Sequence, residues 1–339
     1  MKILVILLIS LLIAGCKKKD SGQPKKVEKI EDKKEIVAKK ELPGEFKVKA
    51  GDLEISARLA IPENLKNPCP VLFIIPDKPP KDKDNTLSVE GLVAKSYRDL
   101  TIELNKSGIA VATYDSRPFI LQKKGGMYSN VSFSRNYEDA KAVFEEIKKS
   151  KNIDPENIYI LGHRLGGQFA IRLAAENENL AGLILFNFDP NPIEKQVSAE
   201  IDKRIEEQTA LMNKTAISDQ KQVFETNIAT LKYNKDKFMR DFLSIKQRKE
   251  DLILMSFGKD WWFEASNWTN DYPNVLRKIK SPVSLICIEL KKENEPVFAR
   301  IFPNSRLEVL KNTDENMLVP ENSEISQEFV KALLPHLKR

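Results

Sequence analysis

The stretch Ile158-Tyr159-Ile160-Leu161-Gly162-His163-Arg164-Leu165-Gly166-Gly167-Gln168-Phe169 is a short apolar run, a turn bracketed by glycines, and the start of an amphipathic helix continuing to Ala174. Such a turn holds the residue between its glycines exposed at a strand's end, against the N-terminus of the next helix, and small neighbours let it close. It is the build of a nucleophile elbow. The chemistry it serves is acyl transfer, which needs a nucleophile, a base to take its proton, an acid to orient the base, and backbone donors for the oxyanion. The residue at the point of the turn is Arg164. A guanidinium stays protonated and cannot attack a carbonyl. Losing the nucleophile of a working triad lowers turnover by about 10⁶, roughly 8 kcal/mol of barrier.

Gly162-His163-Arg164-Leu165-Gly166-Gly167 differs at one position from the Gly-His-Ser-Leu-Gly-Gly of a bacterial branch of the α/β-hydrolase superfamily related to serine aminopeptidases and dienelactone hydrolases. The resemblance covers about residues 45–339 and implies where the other three groups belong. Thr313-Asp314-Glu315-Asn316-Met317-Leu318 resembles the branch's Asp-His-Asn-Leu segment with Glu315 in the place of the basic histidine. A carboxylate there lacks histidine's near-neutral pKa and its two-nitrogen geometry. Lys291 lies near the expected acid, with Glu289, Glu293 or Asp189 as displaced substitutes, the last because some members carry the acid one strand earlier. In a chain that is 31% charged, solvation is the plainer reading of each. The oxyanion loop of the branch corresponds to Pro76-Asp77-Lys78-Pro79-Pro80-Lys81-Asp82-Lys83-Asp84, which has lost its glycine and gained prolines that supply no N–H donor. Tyr114-Asp115-Ser116-Arg117 keeps most of the branch's Tyr-Asp-x-Arg and implies an ion pair at the sheet edge.

Other side chains are weaker candidates. His163 is the elbow's own second residue and is expected to pack beneath the turn. His336 is expected to face solvent near the end of the last helix. Ser132 and Ser134, after Gly125-Gly126, are alternative nucleophiles, although serines beside glycines usually form turns. Two histidines are too few for a metal site, and neither a metal nor a cofactor is expected. Cys69 and Cys287 sit at or in apolar runs as core thiols; their spacing indicates no disulfide.

The elements that must hold these groups follow from hydropathy. Glu45–Ala50 and Leu53–Ile61 alternate about Gly51-Asp52 as an antiparallel hairpin. Val71–Ile75 and Ile109–Tyr114 read as buried strands, and Ile158–Leu161, Leu183–Phe186, Val283–Ile288 and Leu307–Leu310 as further strands. Helical periodicity fills the gaps at Leu92–Leu104, Tyr137–Lys149 and Ile325–Leu337. Strand and helix alternate, which predicts an α/β fold with a mostly parallel central sheet and helices on both faces. The resemblance makes this the α/β-hydrolase fold and makes the charged insertion at about 189–280 its helical lid, with Val197, Ile201, Ile205 and Leu211 at helical spacing. Trp261, Trp262, Phe263 and Trp268 close that insertion, and packing of lid on core is favoured over lining a pocket.

The ends of the chain carry a different message. Residues 1–16 hold a lysine, an apolar run too short to span a bilayer, and Ala14-Gly15-Cys16. Ile13-Ala14-Gly15-Cys16 resembles the lipobox of bacterial lipoproteins, which implies lipidation of Cys16 and attachment to membrane lipid in the cell envelope, outside the cytoplasm. Residues 17–44 are Lys- and Glu-rich and too poor in apolar groups to offset their ordering entropy, so they read as a disordered tether. Eleven lysines against six acidic residues lie at or before Glu41, leaving about +1 of the chain's +6 for the domain. Charge confined to a tail gives no footprint for nucleic acid.

The expectation is a membrane-anchored α/β-hydrolase-fold lipoprotein, catalytically inactive, binding a ligand or partner at its former cleft. Arg164, His163, Glu315 and Asp77 border that cleft. Arg164, at a helix N-terminus, would hold an anionic small molecule, or would plug the cleft by pairing with Glu315, the favoured of the two. An active esterase or peptidase with an unrecognised nucleophile, and a structural protein binding an envelope partner, are the alternatives.

Overall fold

The computed structural model describes residues 42–339 apart from 64, 66, 67, 78, 79, 90, 91, 128, 130, 248–252, 289–294, 320–323, 338 and 339. The signal segment, Cys16, most of the tether, Lys291, Glu289 and Glu293 lie outside the described residues. Pro43–Arg339 forms one compact unit.

Eight strands build the sheet: β1 Glu45–Ala50, β2 Leu53–Ala60, β3 Cys69–Ile75, β4 Ala110–Tyr114, β5 Ile153–His163, β6 Gly182–Phe186, β7 Val283–Cys287 and β8 Arg306–Val309. Their order is β1-β2-β4-β3-β5-β6-β7-β8. β2 is antiparallel to both its neighbours, and all other pairs from β4 to β8 are parallel. The result is the mostly parallel sheet of an α/β-hydrolase fold.

The helices are α1 Ser96–Lys106, α2 Arg117–Lys123, α3 Phe133–Ile147, α4 Gly166–Glu176, α5 Ile193–Lys214, α6 Ser218–Lys246, α7 Lys259–Asn270, α8 Tyr272–Leu276, α9 Glu295–Ile301 and α10 Gln327–Leu333. Alternate residues of β3 point to opposite faces. Val71, Phe73 and Ile75 pack with Phe133, Val143 and Phe144 of α3 and Ala170 and Leu173 of α4. Leu72 and Ile74 pack with Leu100 and Leu104 of α1 and Phe329 and Leu333 of α10. Both faces are thus covered from within Pro43–Arg339, which carries its own core.

Two sequence expectations are corrected, and the lid helices are placed where their spacing put them, with one detail added. Leu92–Lys95 is not the start of a helix but pairs with Thr86–Val89 as a small antiparallel ribbon, and α1 begins only at Ser96. His336 does not face solvent. α10 ends at Leu333, a turn of 3₁₀-helix carrying Pro335 follows, and His336 is buried with Nδ1 2.9 Å from Ser284 Oγ and Nε2 3.6 Å from Glu308 Oε1. Leu211 is exposed, because α5 and α6 bury residues only near their base, at Ile193, Val197, Ile201, Phe238, Phe242 and Ile245.

That base is aromatic. Trp262 of α7 packs on the rings of Phe238 and Phe242, and its Nε1–H donates to the Leu254 carbonyl at 2.9 Å. Trp261 stacks on Phe257 and meets Phe133 edge-on. Both indoles are fully buried, so they join lid to core. Cys69 and Cys287 are free, buried thiols; burial pushes Cys287 up to about 11. No helix among the described residues is long and apolar enough to cross a membrane.

Candidate functional site

β5 ends at His163 and α4 begins at Gly166, so the chain reverses within two residues. Arg164 takes φ +47°, in the left-handed region that ordinarily costs an L-residue about 1–2 kcal/mol. Its N–H donates to the Phe186 carbonyl at 2.8 Å, and its carbonyl accepts from Gly167 N–H at 3.0 Å. The glycines are required by close approach. A Cβ on Gly162 would lie 2.5 Å from Gly167 Cα, and one on Gly166 would lie 2.3 Å from the Pro76 carbonyl oxygen. The turn keeps the strain of an elbow while presenting a guanidinium.

Three carboxylates from three separate elements surround that guanidinium. Nη1–H donates to Glu315 Oε2 at 2.7 Å. Nε lies 3.7 Å from Asp77 Oδ2, and Nη2 lies 3.6 Å from Glu200 Oε2 on α5. Burial disfavours the charge, but Asp77, Glu315 and Glu200 outweigh it and raise the Arg164 pKa. Arg164 is 28% exposed and Glu315 49%, so the pairs are partly screened by water.

Asp77 does more than pair with Arg164. Its Oδ1 accepts the Leu165 backbone N–H at 3.3 Å. In an elbow the N–H following the nucleophile position is an oxyanion donor. Here that donor is already held by a carboxylate of the same chain. The loop carrying Asp77 is fastened to the end of β4: Lys81 and Ser116 exchange two hydrogen bonds, and Lys83 N–H donates to Asp115 Oδ1 at 2.8 Å.

His163 lies fully buried beneath the turn. Nε2 is 2.7 Å from the Glu315 carbonyl oxygen, which can only accept, so Nε2 carries the proton. Nδ1 then accepts from the Tyr97 hydroxyl at 2.7 Å. Burial, with Asp77 close by, pushes the Tyr97 pKa well up, so the phenol stays protonated. Burial is also the main reason the His163 pKa falls to about 4. Both imidazole nitrogens are committed, so His163 ties α1, the elbow and the 313–318 loop together and has no lone pair for a substrate proton.

The structure therefore brings Arg164, Glu315, Asp77 and His163 together, with Asp189 near enough to add to the negative field on Arg164, while Ser132 and Ser134 have other partners. Ser132 is the N-cap of α3, its Oγ accepting from Arg135 N–H at 3.2 Å, and Ser134 N–H donates to Glu264. Asp189 Oδ1 accepts from the backbone and side chain of Asn191, shaping the entry to α5. Glu200 and Tyr97 are participants the sequence did not single out: one acidic residue on a charged helix and one tyrosine on an amphipathic one carry no distinguishing signal. The space beside Asp77, lined by Pro76, Tyr114, Ser116, Arg117, Asn136 and Phe169 among others, is about 20 Å³. That is room for roughly one water, far short of the several hundred Å³ of a small-molecule pocket.

Residues 90–286 match a family model described as serine aminopeptidase, S33. No curated protein matches the chain. Among solved structures, Est1E from Butyrivibrio proteoclasticus is similar with a TM-score of 0.51 at 14% identity, over 87% of this chain and 99% of that one. The α/β hydrolase GrgF from Penicillium sp. sh18 is similar with a TM-score of 0.52 at 15% identity, over 88% of this chain and 99% of that one. At such identities the likeness is one of fold.

Proposed function

The chain belongs to the serine aminopeptidase S33 family of α/β-hydrolase-fold proteins, and within that family we propose that it is a lipid-anchored member of the bacterial cell envelope in which hydrolysis has been lost and the old active site is closed from within. One observation carries this reading: the substituted positions complement one another. Arg164 in the nucleophile's place donates to Glu315 in the base's place, and Asp77 fills the oxyanion donor Leu165 N–H. Restoring any one group leaves the others in the way.

The same geometry favours plugging over capture of an anion at Arg164. Three carboxylates around one guanidinium leave the cluster net negative, so an incoming carboxylate or phosphate must displace Glu315 and face Asp77 and Glu200. A partner is then expected on the lid or the outer loops. The alternative, an active hydrolase using another serine, meets the difficulty that Ser132 is engaged as a helix cap.

The deciding test is intact-mass spectrometry of the chain from Lys17 onward after exposure to a fluorophosphonate probe, with an active family member as control. No adduct is expected while the control labels fully; one adduct on a single serine would overturn the proposal and identify the nucleophile. Arg164→Ser is likewise expected to stay at buffer background in ester hydrolysis, because the introduced hydroxyl would face Glu315 and a filled oxyanion site. Turnover by Arg164→Ser well above background would show that the base and oxyanion groups had not been lost. For the anchor, Cys16→Ser is expected to move the protein from the membrane to the soluble fraction of cells.

A further inference from the structure

Some of the exposed apolar side chains lie on neighbouring segments outside the old site. Met127 is 78% exposed, Ile253 56% and Leu243 53%, with Met255 beside them. Three segments carry them, and the segments are joined. Ile253 pairs with Gly258 in the antiparallel ribbon Ile253–Leu254 and Phe257–Gly258. The Gly258 N–H donates to the Ser129 carbonyl at 2.8 Å, bringing the ribbon to the loop that bears Met127. The Leu254 carbonyl accepts from Trp262, whose ring packs on Phe242, next to Leu243 in α6.

The ribbon's turn is unusual. Met255 and Ser256 both have positive φ, +49° and +72°, where such a turn ordinarily takes asparagine and glycine. The chain thus accepts backbone strain at a turn whose tip is a methionine.

Charge and connection say what this surface meets. Lys123 and Lys124 are exposed at the end of α2, immediately before Gly125-Gly126-Met127, and the charge of Lys123 also reaches Asp115. The first strand of the folded unit, β1, lies two strands from β4, which α2 follows. β1 begins at Glu45, in register with Arg58, which pairs with Thr113 one residue from the end of β4. α2 leaves that end of β4, and its Arg117 donates to the Ala50 carbonyl at the far end of β1. Twenty-six residues separate Cys16 from Pro43. At full extension they span at most roughly 90 Å, so an anchored domain samples the bilayer at the high effective concentration of a tethered pair, and a weak contact suffices.

We infer that the surface carrying Met127, Leu243, Ile253 and Met255, flanked by Lys123 and Lys124, docks on the head-group layer of an anionic membrane. Methionine and aliphatic tips enter the boundary of the acyl region while the lysines meet anionic head groups. The inference rests on the anchored reading above for its geometry, but its test does not use the anchor.

The chain beginning at Lys17 is mixed with vesicles of phosphatidylcholine alone or with phosphatidylglycerol, and the bound fraction is read by sedimentation. Binding to the anionic vesicles is expected. Met127→Asp combined with Ile253→Asp, on exposed positions, should lower the lipid affinity about tenfold or more with an unchanged circular dichroism melt. Lys123→Ser with Lys124→Ser should reduce the preference for phosphatidylglycerol to what the lysine-rich tether itself confers. The lysine-rich tether is the same in all these proteins, so the double aspartate variant reads the patch alone. Binding equal in parent and double aspartate variant would overturn the inference, as would a parent that stays unbound at millimolar lipid. So would a lipid-free dimer in equilibrium sedimentation that the same substitutions dissolve, which would assign the surface to a second copy of the chain. The anchor is checked separately by the mass of Cys16 in the detergent-extracted full chain, so either idea can fail without the other.

Discussion

Asp139→Ala is expected to lower the stability of the domain by about 3–5 kcal/mol, a fall of roughly 5–8 °C in its melting midpoint. Arg117 at the start of α2 and Asp139 in α3 are both buried. They meet through two parallel bonds, Nε–H to Oδ2 at 2.8 Å and Nη2–H to Oδ1 at 2.7 Å. The same guanidinium donates to Asp52 Oδ1 and to the Ala50 carbonyl, both at 2.8 Å, so one cation joins α2, α3 and the β1-β2 hairpin. Removing Asp139 leaves that cation in the interior with one carboxylate, from the solvent-exposed Asp52. Asp52 keeps the loss toward the lower end of the range. The charge and not the volume is at issue, so Arg117→Met with Asp139→Leu should recover much of what either single change loses. Urea unfolding of the four proteins gives the coupling directly; a loss below 1 kcal/mol for Asp139→Ala would show that water already compensates the pair.

This pair also shows what could be read in advance. Tyr114-Asp115-Ser116-Arg117 implied an ion pair at the sheet edge by its likeness to a known pattern, but Asp139, the partner, lies 22 residues on among many acidic residues and could not be chosen. The sheet was legible because buried strands are continuous apolar runs: β3 and β4 fall within a residue or two of where hydropathy puts them. The elbow was legible because close approach of backbones leaves room only for glycine. Edges were harder. Leu92–Lys95 has the composition of a helix start, yet pairing with Thr86–Val89 overrides that local preference. Leu211 lies on the apolar stripe of α5, yet beyond the first turns α5 meets only α6, and a two-helix hairpin buries little.

The site was half legible for a related reason. Which groups had been replaced is a matter of positions along the chain, and Arg164 and Glu315 are found there. How the replacements satisfy one another depends on side-chain reach. Asp77 accepting the Leu165 N–H, and Glu200 arriving from the lid, are outcomes of three loops and a helix meeting at one guanidinium. The elbow keeps its strained backbone because the surrounding sheet and helix fix it. With arginine at the point of the turn, the exposed donors and the helix N-terminus still favour negative charge, and carboxylates of the same chain supply it.

Acidification should reveal the buried half of that arrangement. His163 alone is expected to remove about 3 kcal/mol of stability as the pH falls from 7 to 4. Burial, the main cause, lowers its pKa from 6.5 to about 4, so between those values the unfolded chain binds a proton that the native chain refuses. Stability therefore rises with pH through this window: the contribution is complete above the unfolded value and lost as pH drops toward the folded one. The structural reason is specific. Protonated imidazole has two donors, and the Tyr97 hydroxyl now donates to Nδ1. A second cation would also stand next to Arg164 in a space without water contact. Carboxylates elsewhere titrate over the same range, so the measurement is a comparison. His163→Gln, which carries no titrating group, should be less stable than the parent at pH 7 and should converge on it by pH 4. Parallel stability curves for the two proteins would mean that His163 can be protonated in place, and that the link from Tyr97 through the elbow to the Glu315 carbonyl does not constrain it.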